Sequence, residues 1–119
     1  MWGMAARLSN STIAALATYY AAQPPTSGTL DNSAEAQAGR KIYTEGIPAQ
    51  SVPACMTCHG AKGEGNSAFP RLAGQHSAYI ERQLEAFASN ARANIIMHEN
   101  SKNLTPAQIA EVAAYVRGL

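Results

Sequence analysis

Two cysteines and a histidine stand close together near the middle of the chain, in the order Cys55-Met56-Thr57-Cys58-His59. This spacing is the attachment signature of c-type haem, in which each thiol adds to one vinyl group of the porphyrin. The two intervening residues let the thiols reach two vinyl groups on one haem edge. The motif therefore predicts a covalent haem c held through Cys55 and Cys58, with the imidazole of His59 as one iron ligand.

Two other uses of paired cysteines fit the chain less well. A thioredoxin-type redox motif needs a strand and a helix in a βαβ fold, and no useful length of this sequence alternates with a period of two. The chain has only two cysteines. A zinc site would therefore have to combine Cys55, Cys58 and His59 with another histidine at an unusual spacing.

The composition predicts one small domain. Its 119 residues carry nine Lys and Arg against eight Asp and Glu, so no basic surface for nucleic acid is expected. No stretch approaches the length of a membrane span. Covalent haem attachment is expected outside the cytoplasmic membrane, so we expect a periplasmic protein whose leader has been removed or is absent from this chain.

Hydrophobic spacing and capping residues predict an all-α chain. The predicted helices cover about residues 8–23, 33–45, 77–88 and 105–117. Ser9 is the predicted cap of the first helix, and an Asn32/Glu35 capping box and Gly46 are the predicted start and stop of the second. The last helix is predicted to have Thr105 as N-cap, Pro106 as its first residue and Gln108 completing a capping box. The long loops at 47–76 and 89–104 need an object to wrap around, and a haem is suitable.

A second axial ligand would decide what the haem does. The candidates are Met56, Met97, His76, His98, Met1 and Met4. Met56 lies inside the attachment loop, and His76 opens a helix that follows closely on the His59 side. Met97 lies in a loop that can fold over the opposite face, so we expect it to be the ligand, with His98 as the main rival. The alternative role for Met97 is that of a buried core methionine.

Several motifs together resemble a known family. They are CMTCHG at 55–60, GEGN at 63–66, AFPRLAGQHSAYIERQLEAF at 68–87, Met97, and LTPAQIAEVAAYV at 104–116. In these the chain is similar to class I cytochromes c, and over about residues 34–119 it most resembles the C-terminal haem domain of the periplasmic dihaem group called cytochrome c-four. The resemblance implies a small haem-wrapping fold in which Gly39 and Tyr43 cross Val112 and Tyr115.

The same resemblance implies roles for residues around the haem. The carbonyl of Pro70 would accept a hydrogen bond from Nδ1 of His59, which fixes the orientation of the imidazole. Leu72 would pack against the ring. Arg71 and Arg92 are candidate partners of the haem propionates.

The N-terminal segment repeats a later part of the chain at an offset of 96 residues. The matched pairs include Met1 with Met97, Leu8 with Leu104, Ser9 with Thr105, Ile13 with Ile109, and Tyr19 with Tyr115. Residues 1–23 therefore resemble the tail of a preceding haem domain, with 24–32 as a linker and 33–119 as a monohaem domain. The alternatives are a chance match of two Ala-rich helices and, for Met1, ligation of a neighbouring haem. An apolar arm of this kind would pack on its own domain or on a second copy in a homodimer.

These expectations converge on an electron carrier rather than an enzyme. His59 and Met97 would hold the iron in both oxidation states. Redox partners would dock weakly and transiently at a haem edge exposed near Ala54, Met56 and residues 89–98. Two alternatives stay open: a haem enzyme or gas-binding sensor with a free iron position, and an electron-delivery module of a larger oxidoreductase.

Overall fold

Helices make up nearly all the regular structure of this chain. A computed structural model describes residues 2–24, 26, 28–29 and 32–119. Its helices are α1 (Trp2–Ala5), α2 (Asn10–Ala21), α3 (Ala34–Glu45), α4 (Met56–His59), α5 (Ser77–Ala88), α6 (Ile95–Ser101) and α7 (Pro106–Arg117), with a 3₁₀ turn at Pro48–Gln50. Within these described residues the sole β pairing is an isolated bridge between Ile47 and Val52. The all-α prediction is confirmed, and no helix in the described ranges is long and apolar enough to cross a membrane.

Most helix ends follow the predicted caps. The Ser9 side chain accepts from the Thr12 amide at the start of α2, and Thr105 and Gln108 form both halves of a capping box at α7. Gly46 ends α3 with a φ of 72°. The capping box expected from Asn32 is wrong, because the next residue, Ser33, is the N-cap and accepts from the Ala36 amide.

The core lies where α3 crosses α7. Gly39 has no Cβ, and a Cβ there would lie 2.9 Å from the nitrogen of Val112 and closer still to the carbonyl of Glu111. The rings of Tyr43 and Tyr115 meet beside this crossing, with centroids 5.4 Å apart. This crossing is the one that the resemblance implied, and it joins the two ends of the haem-domain segment into one core.

The two long predicted loops are partly helical. The first contains α4 and the 3₁₀ turn. The second was expected to be open from 89 to 104, yet it contains α6, whose N-cap Asn94 accepts from the amide of Met97. The loop prediction is therefore wrong at residues 95–101, because this short helix depends on side-chain hydrogen bonds rather than on a buried apolar face.

The N-terminal arm does not pack on its own haem domain. Neither α1 nor α2 has a buried residue. Ile13 and Leu16 are 46% and 40% exposed, whereas the residues that match them in α7, Ile109 and Val112, are each 4% exposed. Of the two options for the arm, packing on the same domain is thus wrong. The helix α2 matches α7 in sequence, and α7 itself already occupies the place against α3.

The linker is only partly described. Met1, Pro25, Ser27, Leu30 and Asp31 lie outside the described residues, and so does the idea that Met1 ligates a neighbouring haem. Where the linker is described it lies against the domain. A Cβ at Gly28 would come within 2.7 Å of the Arg117 carbonyl carbon, and Gly74 closely approaches the backbone of Thr26.

Candidate haem-attachment site

The two cysteines lie in and just before the single turn of helix α4, with Cys58 inside it. Cys55 is its N-cap, and its carbonyl accepts the amide of His59 at 3.0 Å, which closes the turn. Both thiols are free and half-buried. Burial raises the pKa of the Cys55 thiol to about 11. The thiol is therefore protonated near neutral pH, unlike the low-pKa thiols of disulfide-exchange sites.

His59 is buried and held by one hydrogen bond. The side chain is 6% exposed, and its Nδ1–H donates to the carbonyl of Pro70 at 2.9 Å. The Phe69 ring lies beside the imidazole, with ring centroids 6.2 Å apart. Because Nδ1 is the donor, Nε2 carries the free lone pair, which is the form in which a histidine binds a metal. The hydrogen bond is the one implied by the resemblance; the Phe69 contact is an addition that the AFPRL segment could have suggested.

A network of backbone bonds fixes the loop that brings Pro70 to His59. The carbonyl of Gly63 accepts both the Leu72 amide at 2.8 Å and the Ala73 amide at 3.0 Å. Asn66 closes a tight turn by accepting from the amides of residues 68 and 69. Gly63 and Gly65 both have positive φ, at 63° and 67°, which the turns require. The orientation of the imidazole is thus set by the loop backbone.

Tyr43 connects this loop to the core. Its hydroxyl donates to the Gly60 carbonyl at 2.7 Å, and its side chain is completely buried. Burial raises the pKa of Tyr43 well above its ordinary value, so the hydroxyl stays protonated and remains a donor. The resemblance implied only the helix crossing for Tyr43, and no sequence pattern indicates this link to the residue that follows His59.

Met97 lies half-buried in α6 rather than in an open loop. Its amide donates to Asn94 at 3.0 Å, and its carbonyl accepts the Ser101 hydroxyl at 2.6 Å. The neighbouring His98 uses Nδ1–H to donate to the carbonyl of Phe87 at 2.9 Å. The rival ligand is therefore already engaged in tying α6 to the end of α5.

The two candidate propionate partners differ in their surroundings. Arg92 places its guanidinium 4.6 Å from the centroid of the Phe87 ring and donates to Gln83 at 2.5 Å. Arg71 is exposed and follows directly on Pro70. Leu72 is half-buried and packs against the core cluster that also contacts Cys55 and Met56.

These residues fit a covalent c-type haem better than a metal ion alone. Among the residues that the structure describes, no three His, Cys, Asp or Glu side chains are grouped to hold a metal, so the zinc alternative has no support there. The site instead offers two unpaired thiols and an imidazole with a free Nε2. Half-buried apolar side chains pack against the same core cluster as Cys55, among them Met56, Leu72 and Leu84. An apolar macrocycle held by two thioethers and one imidazole matches this donor set.

Comparisons with known proteins agree with this site. The family model described as cytochrome c matches residues 36–119. Cytochrome c-552 of Acidithiobacillus ferridurans is 43% identical over 120 residues, a match that covers all of this chain and 52% of the relative. The chain thus spans about half the length of this curated relative.

Solved structures give the same result. A cytochrome c4 from Acidithiobacillus ferrooxidans matches with a TM-score of 0.90 and 43% identity, over all of this chain and 70% of that one. A thiosulfate dehydrogenase from Marichromatium purpuratum matches with a TM-score of 0.82 and 35% identity, over 95% of this chain and 25% of that one. The helical arm lies within the matched region of the first structure.

Proposed function

Because this chain belongs to the cytochrome c family and has its class I fold, we propose that it is an electron carrier, which takes one electron from one redox partner and gives it to another. The observation that carries the proposal is the hydrogen bond from buried His59 to Pro70, which leaves Nε2 for the iron. Cys55 and Cys58 hold one covalent haem c, and bound haem supplies the Fe(III)/Fe(II) couple.

The chain's own residues would keep the iron ligands the same in the Fe(III) and Fe(II) states. His59 and Met97 would both ligate the iron, so the haem would carry electrons rather than bind a substrate or gas. Pro70 would keep the imidazole in one orientation, and Leu72 would pack against the ring. Arg71 is the propionate partner that the geometry favours, because Arg92 would have to leave its present contacts.

Met97→Ala tests the proposed ligand. The variant should lose the ferric absorption band of Met–Fe bonding, have a lower reduction potential and bind carbon monoxide when reduced. Met4→Ala is the matched control, since Met4 is 75% exposed in α1, and it should change none of these. An unchanged spectrum in Met97→Ala would move the assignment to His98, and ready carbon monoxide binding by the wild type would favour a sensor or enzyme with a free iron position.

The second candidate is an electron-delivery module of a larger oxidoreductase. The likeness to a thiosulfate dehydrogenase structure, of which this chain matches a quarter, favours it. In that case electrons would come from one dedicated catalytic partner rather than from several. Stopped-flow oxidation and reduction with unrelated small redox proteins separates the two candidates, because a dedicated module would react slowly with all of them.

Partners would dock weakly at the haem edge. Ile95 and Ile96, directly before Met97, are 80% and 53% exposed, and the net charge of the chain is only +1. We therefore expect an apolar contact of the small, transient class, with little steering by charge. The bimolecular electron-transfer rate should change little between low and high ionic strength; a steep dependence would contradict this.

The proposed location is the periplasm. The attachment of haem through Cys55 and Cys58 supports it, since such attachment is expected outside the cytoplasmic membrane. Fractionation of cells that make the haem-loaded protein should recover it with periplasmic markers.

The arm is proposed to be the last helix of a haem-type domain that precedes this one. Its capped helix α2 matches α7 in pattern, and the match to a cytochrome c4 structure extends over it. When the 119-residue chain is made by itself, the exposed face of the arm, with Ile13, Leu16 and Tyr20, would join a second copy in a homodimer. Light scattering after size exclusion should give the mass of a dimer, and a monomer whose arm is cleaved rapidly by proteases would contradict it.

A further inference from the structure

Helix α6 is anchored mainly by polar groups. It has seven residues, and Ser101 is its sole buried one. Ile95 and Ile96 remain largely exposed. A helix this short is marginal by itself, and the apolar contacts that hold longer helices are few here. The position of Met97 must therefore depend on the hydrogen bonds at the two ends of α6.

Two side chains fix the backbone of Met97. Asn94 accepts the amide of Met97 at 3.0 Å. The hydroxyl of Ser101 donates to the carbonyl of Met97 at 2.6 Å, and the side chain of Ser101 is fully buried. Both polar groups of the Met97 backbone are thus held by side chains, one from the N-cap of α6 and one from its last residue.

His98 connects this helix to its neighbour. Its Nδ1–H donates to the carbonyl of Phe87 at 2.9 Å, and Phe87 is a buried residue in the last turn of α5. The chain between the two helices is also folded back on α5, since the amide of Arg92 donates to the carbonyl of Ala86 at 2.9 Å. The hydrogen bond of His98 therefore ties α6 to the end of α5.

We propose that Ser101 and His98 are positioning residues for the thioether of Met97, and that their hydrogen bonds keep the Met–Fe bond closed in the haem-loaded protein. This rests on the proposed function, in which Met97 is the iron ligand. Methionine is unbranched and has three rotatable side-chain bonds, so fixing the backbone that carries it reduces the range of positions open to its sulfur. Ser101 fixes that backbone within α6, and His98 fixes α6 on α5.

The test measures how readily an added ligand displaces Met97 in the ferric, haem-loaded full chain. Loss of one hydrogen bond should raise the apparent affinity for imidazole about threefold to tenfold in Ser101→Ala and in His98→Ala. The ferric band of Met–Fe bonding should also weaken at a lower temperature than in the wild type. His98→Asn should restore the wild-type values, because its amide N–H can donate to Phe87 in place of Nδ1–H.

Two control variants separate positioning from general stability. Thr18→Ala removes the same kind of hydroxyl-to-carbonyl bond, at 3.0 Å to Ala14, in the exposed arm. Ile109→Val trims the core of α7, where Ile109 is 4% exposed. Neither should change imidazole affinity, although the second should lower the denaturation midpoint of the whole domain.

The possible results have distinct meanings. Imidazole affinity raised in Ser101→Ala and His98→Ala but not in the controls supports the inference. A Met–Fe band as resistant to imidazole in these variants as in Ile109→Val would overturn it and leave the proposed function intact. A wild type without that band, and unaffected by Met97→Ala, would overturn the axial assignment and this inference together.

Discussion

Replacing Gly39 by alanine would place a methyl group where α7 crosses α3. The new carbon would lie 2.9 Å from the nitrogen of Val112 and nearer still to the carbonyl of Glu111. Carbon atoms in good contact are about 3.5–4.0 Å apart, so even the farthest of these neighbours would have to withdraw by roughly 0.6 Å. The obstructing atoms belong to the backbone of α7, so a change of side-chain rotamer cannot relieve the clash.

The expected cost follows from two opposing effects. Overpacking of this kind costs about 3 kcal/mol at the upper end of its usual range, and alanine recovers about 1 kcal/mol through its better helix propensity. The net loss in free energy of unfolding for Gly39→Ala is therefore about 2 kcal/mol. For a domain of this size it corresponds to a fall in melting temperature of about 8–16 °C.

Guanidinium denaturation of the haem-loaded protein, followed by far-ultraviolet circular dichroism, measures the loss. Gly3→Ala is the matched control: Gly3 also lies in a helix, but nothing stands within 4 Å of a Cβ built there. The control should change stability by less than about 1 kcal/mol. If Gly39→Ala proved as stable as the wild type, or more so, the two backbones would not need their close approach and the reasoning would be refuted.

Three further changes test the supports of the site and core. Tyr43→Phe removes the hydrogen bond to the Gly60 carbonyl and should cost about 1 kcal/mol, and up to about 3 if the carbonyl stays unpaired; urea midpoints measure it, and no change would contradict the link. Thr105→Ala removes the cap of α7 and should lower the free energy of unfolding, by the same assay, by about 1 kcal/mol. Backbone amides, its own and that of Lys62, lower the pKa of Glu64 below its ordinary 4.5. Because this pKa is lower in the folded chain, the carboxylate stabilises the fold above about pH 4.5 and the benefit disappears as the pH falls through the folded value. Glu64→Gln should therefore be less stable than the wild type at neutral pH and equal to it in acid, and a difference independent of pH would be inconsistent with this.

The sequence predicted helices well where caps and apolar spacing agreed. The start of α7 is an example, since Thr105, Pro106 and Gln108 each favour the same boundary. Helix α6 was missed because its two isoleucines face away from the core, so its residues show no helical hydrophobic period. The cap of α3 was misplaced by one residue, because Asn32 and Ser33 are both capping types and local pattern cannot choose between them.

For the site, the order of residues indicated more than composition did. Cys55, Cys58 and His59 follow from spacing, and the contact of His59 with Pro70 follows from the resemblance. The engagement of Arg92 with Phe87 could not be predicted, because it depends on how residues 89–94 fold back on α5. The direction in which the half-buried side chain of Met97 points is likewise decided by packing, and the role of Met97 as a ligand stays a prediction.

The close approach of Gly28 to the end of α7 bears on circular permutation of this domain and on its insertion into other proteins. Gly28 precedes the haem domain, and a Cβ there would lie 2.9 Å from the Cα of Gly118. Entry and exit of the chain are therefore neighbours. Domains with adjacent ends tolerate circular permutation and insertion into other proteins. A short peptide could join residues 28 and 118 directly, with new ends opened at the exposed residues Ala61 and Lys62. With its ends left at 28 and 118, the domain could instead be inserted into another protein and would hardly separate the two halves of that host.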